Sequence, residues 1–280
     1  LAGMLATIGA INGIATVVAP IGGGVLADFG GWHGIFWFLF IVGVLLIIGS
    51  MRFRESLPGG QRQNIRWGDM YRRFGIVLHN RQYVRYILQY GFTMGVLFTN
   101  IASAPFIMQQ YYGLSPMLFS FCFGVNAVAM VISSALAVRF STMERALHVG
   151  NHGMLFISIL LSVAFFLDCN FWIYEILIFC LLAMVGMTFT ASNTLAMDCE
   201  RKNAGVASAL LGAIGFAFGG IVSPLVGMGD IRMSTGFLFF MGSLCSCVCA
   251  CFSFHRLPFR KKALNFAPYR IINVFLQKLL

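Results

Sequence analysis

The chain has 280 residues, of which 59% are hydrophobic and only 10% charged, against about 25% charged in an ordinary soluble domain. That balance excludes a soluble globular domain and marks a polytopic membrane protein. The net charge of +10 would suit a nucleic-acid partner, but the basic residues gather in loops and a tail, the distribution that orients a membrane protein.

At about 20 residues per crossing, apolar spans are predicted at 3–27, 33–51, 86–108, 117–138, 147–167, 171–195, 205–228 and 234–254. The first contains most of Ala15–Trp32, ATVVAPIGGGVLADFGGW. Pro20 removes one backbone hydrogen bond and kinks the helix. Ala15, Ala19 and Gly23 recur every four residues, with Gly24 beside them, and make a smooth stripe on which another helix can pack closely. The pattern returns in the seventh span, where Gly219, Ser223, Pro224 and Gly227 repeat Ala15, Ala19, Pro20 and Gly23 at a constant offset of 204. A constant offset between two kinked helices implies an internal repeat, a mark of transporter folds. The repeat unit is six helices, so the chain would hold two helices of one unit and six of the next. Four more are expected ahead of Leu1 in a longer parent. Without them the stripes of spans 1 and 7 are expected to face lipid unfilled.

The loop 52–85 is long and carries eight arginines. Within it Trp67, Met70, Tyr71 and Phe74 stand at helical spacing, which fits a short amphipathic helix on the membrane surface or a plain solvated linker. Counted over alternating loops, 18 Lys and Arg fall on one side and only Arg232 on the other. That asymmetry predicts eight crossings with both ends and the long loop cytoplasmic. The expected divisions are 1–51, the last two helices of an N-terminal six-helix bundle; 52–85, a cytoplasmic central loop; 86–254, a C-terminal six-helix bundle; and 255–280, a basic cytoplasmic tail.

No acid is expected at mid-membrane. The deepest, Glu175, lies about one turn inside the sixth span and reads as interfacial. Uncharged polar residues within spans are more informative: Asn12 on span 1, Gln89, Thr93 and Asn100 on span 3, Asn126 on span 4 and Asn193 on span 6. Gln89, Thr93 and Asn100 share a helix face, flanked by Phe98 and Phe106. Such a face either lines a cavity for bulky, weakly polar ligands or binds one helix to another. No constellation of nucleophile, acid or metal supports an enzyme, and no catalytic residue or cofactor is expected. Cys245, Cys247, Cys249 and Cys251 alternate sides of a helix. Glu144, His148 and His152 line one face at a spacing that could suit zinc, but at a helix end where solvated polar residues are usual. No metal is expected.

Several stretches resemble one family. Six plus six helices with a basic central loop are similar to the major facilitator superfamily, and Ala15–Gly24 resembles the antiporter motif of its fifth helix, with alanines where two glycines usually stand. Gly31-Trp32-His33-Gly34-Ile35-Phe36-Trp37, Arg54-Glu55-Ser56-Leu57-Pro58, Ser103-Ala104-Pro105-Phe106-Ile107-Met108-Gln109, Tyr112-Gly113-Leu114-Ser115 and Ala204–Gly212 resemble the Bcr/CflA drug–proton antiporters. The Arg-rich motif between helices eight and nine is reduced to Arg139…Glu144-Arg145. The resemblance implies an all-α membrane fold with eight of twelve transmembrane helices present, helices 5–12. It implies a multi-pass protein of the bacterial inner membrane that exports small-molecule drugs against protons, with the lipid bilayer and the missing N-terminal helices as its other partners. The coupling acid of that family sits on the first helix, outside this chain. Metabolite or sugar efflux on the same fold, or an inactive truncated product, are the alternatives.

Overall fold

The computed structural model describes residues 2–52 and 67–254, with side chains for 22–52 and 68–251 save Asp28, Asp69 and Met70. Among the described residues the chain forms eight α-helices: α1 (Ala2–Met51), α2 (Trp67–His79), α3 (Arg81–Pro105), α4 (Pro116–Ala137), α5 (Met143–Phe166), α6 (Phe171–Cys199), α7 (Ala204–Val226) and α8 (Ile231–Phe254). Seven helical stretches there are long and apolar enough to cross a membrane.

Four helices, α3, α4, α5 and α8, start where a polar side chain satisfies the first backbone N–H groups. Asn80 Oδ1 accepts from the N–H of Gln82 at 3.1 Å and of Tyr83 at 3.4 Å. Ser115 Oγ accepts from Leu118 N at 3.3 Å, with Pro116 next in the first turn. Thr142 Oγ1 accepts from Arg145 N at 3.3 Å. Asp230 Oδ1 accepts from Arg232 N at 2.9 Å and Met233 N at 3.2 Å. The Asn80 cap lets α3 begin at Arg81 rather than 86; α6 runs on to Cys199 rather than 195.

Two local features depart from regular helix. Spans 1 and 2 are one element, α1, interrupted at Gly31 with φ 58° and ψ −162°, a conformation essentially confined to glycine. At the end of α3, Pro105 is followed by a π-helical turn, Phe106–Tyr111, in which Tyr112 N–H reaches back five residues to the carbonyl of Ile107 at 3.0 Å.

α3 and α6 form the centre of the bundle. α6 packs on α3, α4 and α5; α3 packs on α6, α7 and α8; α5 and α8 close the ring. Glycines set the closest crossings, as expected where van der Waals contact rather than water exclusion drives association. A Cβ at Gly186 of α6 would overlap the Met130 carbonyl of α4, and one at Gly150 of α5 would overlap Thr188 of α6. Buried hydroxyls are hidden by bonding back to carbonyls four residues earlier: Thr99 to Gly95 at 2.9 Å, Thr188 to Met184 at 2.9 Å and Ser192 to Thr188 at 2.8 Å; half-buried Ser223 does the same to Gly219 at 2.8 Å. One apolar cluster (Tyr83, Tyr86, Ala146, Leu195, Leu211) fills the end near the basic loops, and a second (Met154, Leu161, Phe165, Tyr174, Phe239) fills the far half.

The expectation of an unfilled small-residue face fails for span 7, while on span 1 the side chains of Ala15 and Ala19 lie outside those described. Gly219 is buried, and a Cβ there would run into the Phe98 ring at 2.5 to 2.8 Å. Gly215 meets Tyr90 and Met94 in the same way, so the glycine face of α7 is filled by α3 of its own bundle. On α1, Gly24 is buried against Ser120 of α4, while no residue in the apolar window of Phe29–Met51 is buried. The segment at 67–79 is helical, as its spacing predicts. It is anchored through Val77, which is fully buried among Tyr83, Ala207 and Leu211.

Candidate functional site

The polar face of α3 runs along the middle of the bundle. Gln89 and Thr93 are fully buried, and Thr93 Oγ1 donates to the Gln89 carbonyl at 3.0 Å. The same hydroxyl lies 3.4 Å from Ser246 Oγ of α8, which donates to Asn151 Oδ1 of α5 at 2.9 Å. A polar line thus crosses three helices. It keeps unspent capacity: Gln89 Nε2, Gln89 Oε1 and Asn151 Nδ2 are buried without a partner among the described residues. Asn100, eleven residues along α3, is buried apart from this line with Oδ1 also unpartnered. Ser246 and Asn151 were not singled out in the sequence. Their signal is the same as for Gln89, a hydrogen-bonding side chain inside an apolar run.

The second constellation lies between α4 and α6. Asn126 Nδ2 donates to Glu175 Oε1 at 3.0 Å. Glu175 was expected at the interface because it stands one turn into α6. Its side chain reaches along the helix pair to Asn126, near the centre of α4; farther in, Gly186 of α6 meets Met130 and Ser134 of α4. Cys122 and Tyr174 are the titratable neighbours that feel this carboxylate.

The far end carries a third cluster. Asp168, in a left-handed turn at φ 51°, accepts from Arg232 Nη1 and from Tyr111 Oη at 3.4 Å. The Arg232 guanidinium lies 4.2 Å from the centre of the Tyr111 ring, a cation–π arrangement. The hydrogen bond from Arg232, and then its charge, hold the Asp168 carboxyl below the usual carboxylate range. Nearby, burial pushes the Tyr112 phenol up, and its hydroxyl donates to the Cys169 carbonyl at 2.9 Å. A pocket of about 350 Å³ opens here, lined by Phe106, Gln110, Tyr111, Asp230 and Arg232. Only Phe106 of the expected cavity residues lines it.

The remaining expected residues are spread through the fold. Phe98 packs on Gly219 and edges Phe216 at 6.0 Å between ring centres. Asn193 is half-buried on α6. The side chains of Asn12, Ala15, Ala19 and Pro20 lie outside the described ones. Among the described residues a Cβ on Gly23 meets nothing within 4 Å, so Gly24 is the motif glycine in close contact here, and one on Gly227 meets only the Pro224 carbonyl, at 3.7 Å. The stretch Arg54–Pro58 and the tail from 255 lie outside the described residues. Among those described, no group of three His, Cys, Asp or Glu side chains is placed to hold a metal.

Long apolar helices, glycine crossings and buried amides define a multi-pass α-helical membrane protein with a polar interior. The model of the Major Facilitator Superfamily matches residues 1–224, and the chain belongs to that family. An uncharacterized MFS-type transporter, YdgK of Bacillus subtilis, is 34% identical over 226 residues, covering 79% of this chain and 56% of its own length. A bicyclomycin resistance protein homolog of Haemophilus influenzae is 28% identical over 263 residues, covering 86% of this chain and 61% of its own. The chain therefore spans somewhat over half the length of these curated relatives.

Proposed function

We propose that the chain is part of a multidrug efflux transporter of the bacterial inner membrane, exporting small amphipathic drugs in exchange for protons. The observation that carries this reading is the similarity to the Haemophilus bicyclomycin resistance homolog across 86% of this chain. Gln89, Thr93 and Asn100 of α3, with Phe98 on the same helix and Phe106 just after it, are the residue mixture that binds bulky, weakly polar molecules where a cavity opens; in the packing described here the three polar residues are buried and Phe106 is the one of the five that lines a pocket. Both ends and the segment 52–85 face the cytoplasm in this reading, which follows from the Lys and Arg count. Alternating access needs two bundles rocking about a site between them, so export requires helices beyond those packed here.

The test is efflux of a fluorescent amphipathic cation from cells carrying the chain alone, or together with an added four-helix N-terminal segment taken from the Haemophilus relative. Efflux that collapses with a protonophore is expected only with the added segment. No efflux in either case, at confirmed membrane expression of both, overturns the drug reading. Gradient-dependent efflux from the chain alone overturns the requirement for further helices.

A further inference from the structure

The bond between Asn126 and Glu175 is incomplete in an informative way. One oxygen of the carboxyl, Oε1, accepts from the amide at 3.0 Å. The other, Oε2, is buried without a partner among the described residues, and so is Asn126 Oδ1. Both orphans are acceptors and both belong to the same pair. Asn126 is 2% exposed, and no Lys, Arg or His pairs with Glu175 in the ion pairs of the described residues. Its titratable neighbours are Cys122 on α4 and Tyr174 on α6 itself, neither of which brings positive charge.

An ionised carboxylate can accept from an amide but cannot donate to one. Written with a bare carboxylate, this site leaves two buried acceptor atoms unsatisfied and one negative charge uncompensated, a costly arrangement even for a half-buried side chain. One added proton removes all three defects. Placed on Oε2, it converts that orphan into an O–H donor. The terminal torsions of Asn and Glu turn easily, and the new donor can then meet Asn126 Oδ1. Amide and acid would form a closed ring of two hydrogen bonds, N–H to Oε1 and O–H to Oδ1. An amide facing a carboxylic acid is complementary in this way; an amide facing a carboxylate is not.

We propose that Glu175 is a proton-binding site, its carboxyl holding a proton that Asn126 receives across the α4–α6 interface. The coupling acid implied by the family resemblance lies on another helix, so this proton is an additional one. The site belongs to the chain whether or not drugs are its cargo, and its test does not involve transport.

The experiment is infrared spectroscopy of the purified 280-residue chain in lipid nanodiscs at pH 7, in potassium and in sodium buffers. The wild-type spectrum should contain a neutral-carboxyl carbonyl band that Glu175→Gln abolishes. Glu175→Gln keeps the shape and neutrality of the protonated acid, so it should fold as well as wild type. Asn126→Leu should retain the band but move it to higher frequency, because the carbonyl loses its amide donor. Transfer of the unaltered protein to heavy water should shift the band downward, which checks the assignment without any variant. Absence of a Glu175-dependent neutral-carboxyl band overturns the proposal. A carboxylate band that depends on sodium would put a metal cation in place of the proton and overturn it equally. An unmoved band in Asn126→Leu overturns the shared bond.

Discussion

Gly186→Ala tests whether backbone contact at glycines holds the bundle together. A Cβ at Gly186 would overlap the Met130 carbonyl oxygen and lie 3.0 Å from its carbon. Neither atom can swing away as a side chain would, so α4 and α6 must separate by roughly 0.5–1 Å, enough to forfeit a quarter to a half of each contact's dispersion energy. Overpacking of this kind costs about 1–3 kcal/mol. Separation also stretches the bond from Ser134 Oγ to the Gly186 carbonyl, now 3.0 Å, an interhelical bond worth about 0.6 kcal/mol. Alanine returns about 1 kcal/mol of helix propensity. The net expectation is a loss of about 0.5–2.5 kcal/mol. Gly212→Ala on α7 is the control, since nothing lies within 4 Å of a Cβ there, and it should gain up to about 1 kcal/mol. Stability is read by SDS titration in mixed micelles, and by thermal melts that follow exposure of the buried thiols Cys122 and Cys247 to a thiol-reactive dye. A Gly186→Ala protein as stable as Gly212→Ala would refute the account.

Gly219→Leu drives a side chain into the Phe98 ring and should prevent assembly, and Phe98→Ala in the same chain should restore part of the loss; additive losses would show that the two do not meet. Cysteine placed at Gly60 should resist an impermeant thiol reagent in intact cells and label after permeabilisation, and labelling in intact cells would reverse the assigned orientation. The Asp168 carboxyl is held low by Arg232, so its tie is fully present above the ordinary carboxylate value of about 4 and is lost as pH falls through the lowered value. The melting-temperature gap between wild type and Asp168→Asn should accordingly be flat from neutral pH down to about 4 and shrink below it; a gap that widens in acid contradicts the tie.

How far the fold could be read from the sequence depended on whether a feature is local. Apolar runs near bilayer length announce helices one at a time, and the helix-starting Asn80, Ser115 and Thr142 are local signals too. Ends such as Cys199 were missed because apolarity marks where lipid is, whereas the backbone ladder continues wherever caps and carbonyls allow. The site depended on register between helices, which no periodicity within one helix contains. Counting along α6 puts Glu175 one turn in, but that count does not contain its meeting with Asn126 of α4. The sequence reading gives Gly219 to a helix outside the chain, because a smooth face does not name its partner; the structure places Phe98 of α3 against it. Phe98 was noticed only as an aromatic flank, and the structure brings it to Gly219. Polar residues in lipid escape part of this difficulty, since each must find a partner within reach. Asn126 on α4, read with that requirement, restricts the search to the few polar groups on its neighbours. That requirement also explains why the two acceptor oxygens left unmatched there are the most specific clue to what the interface binds.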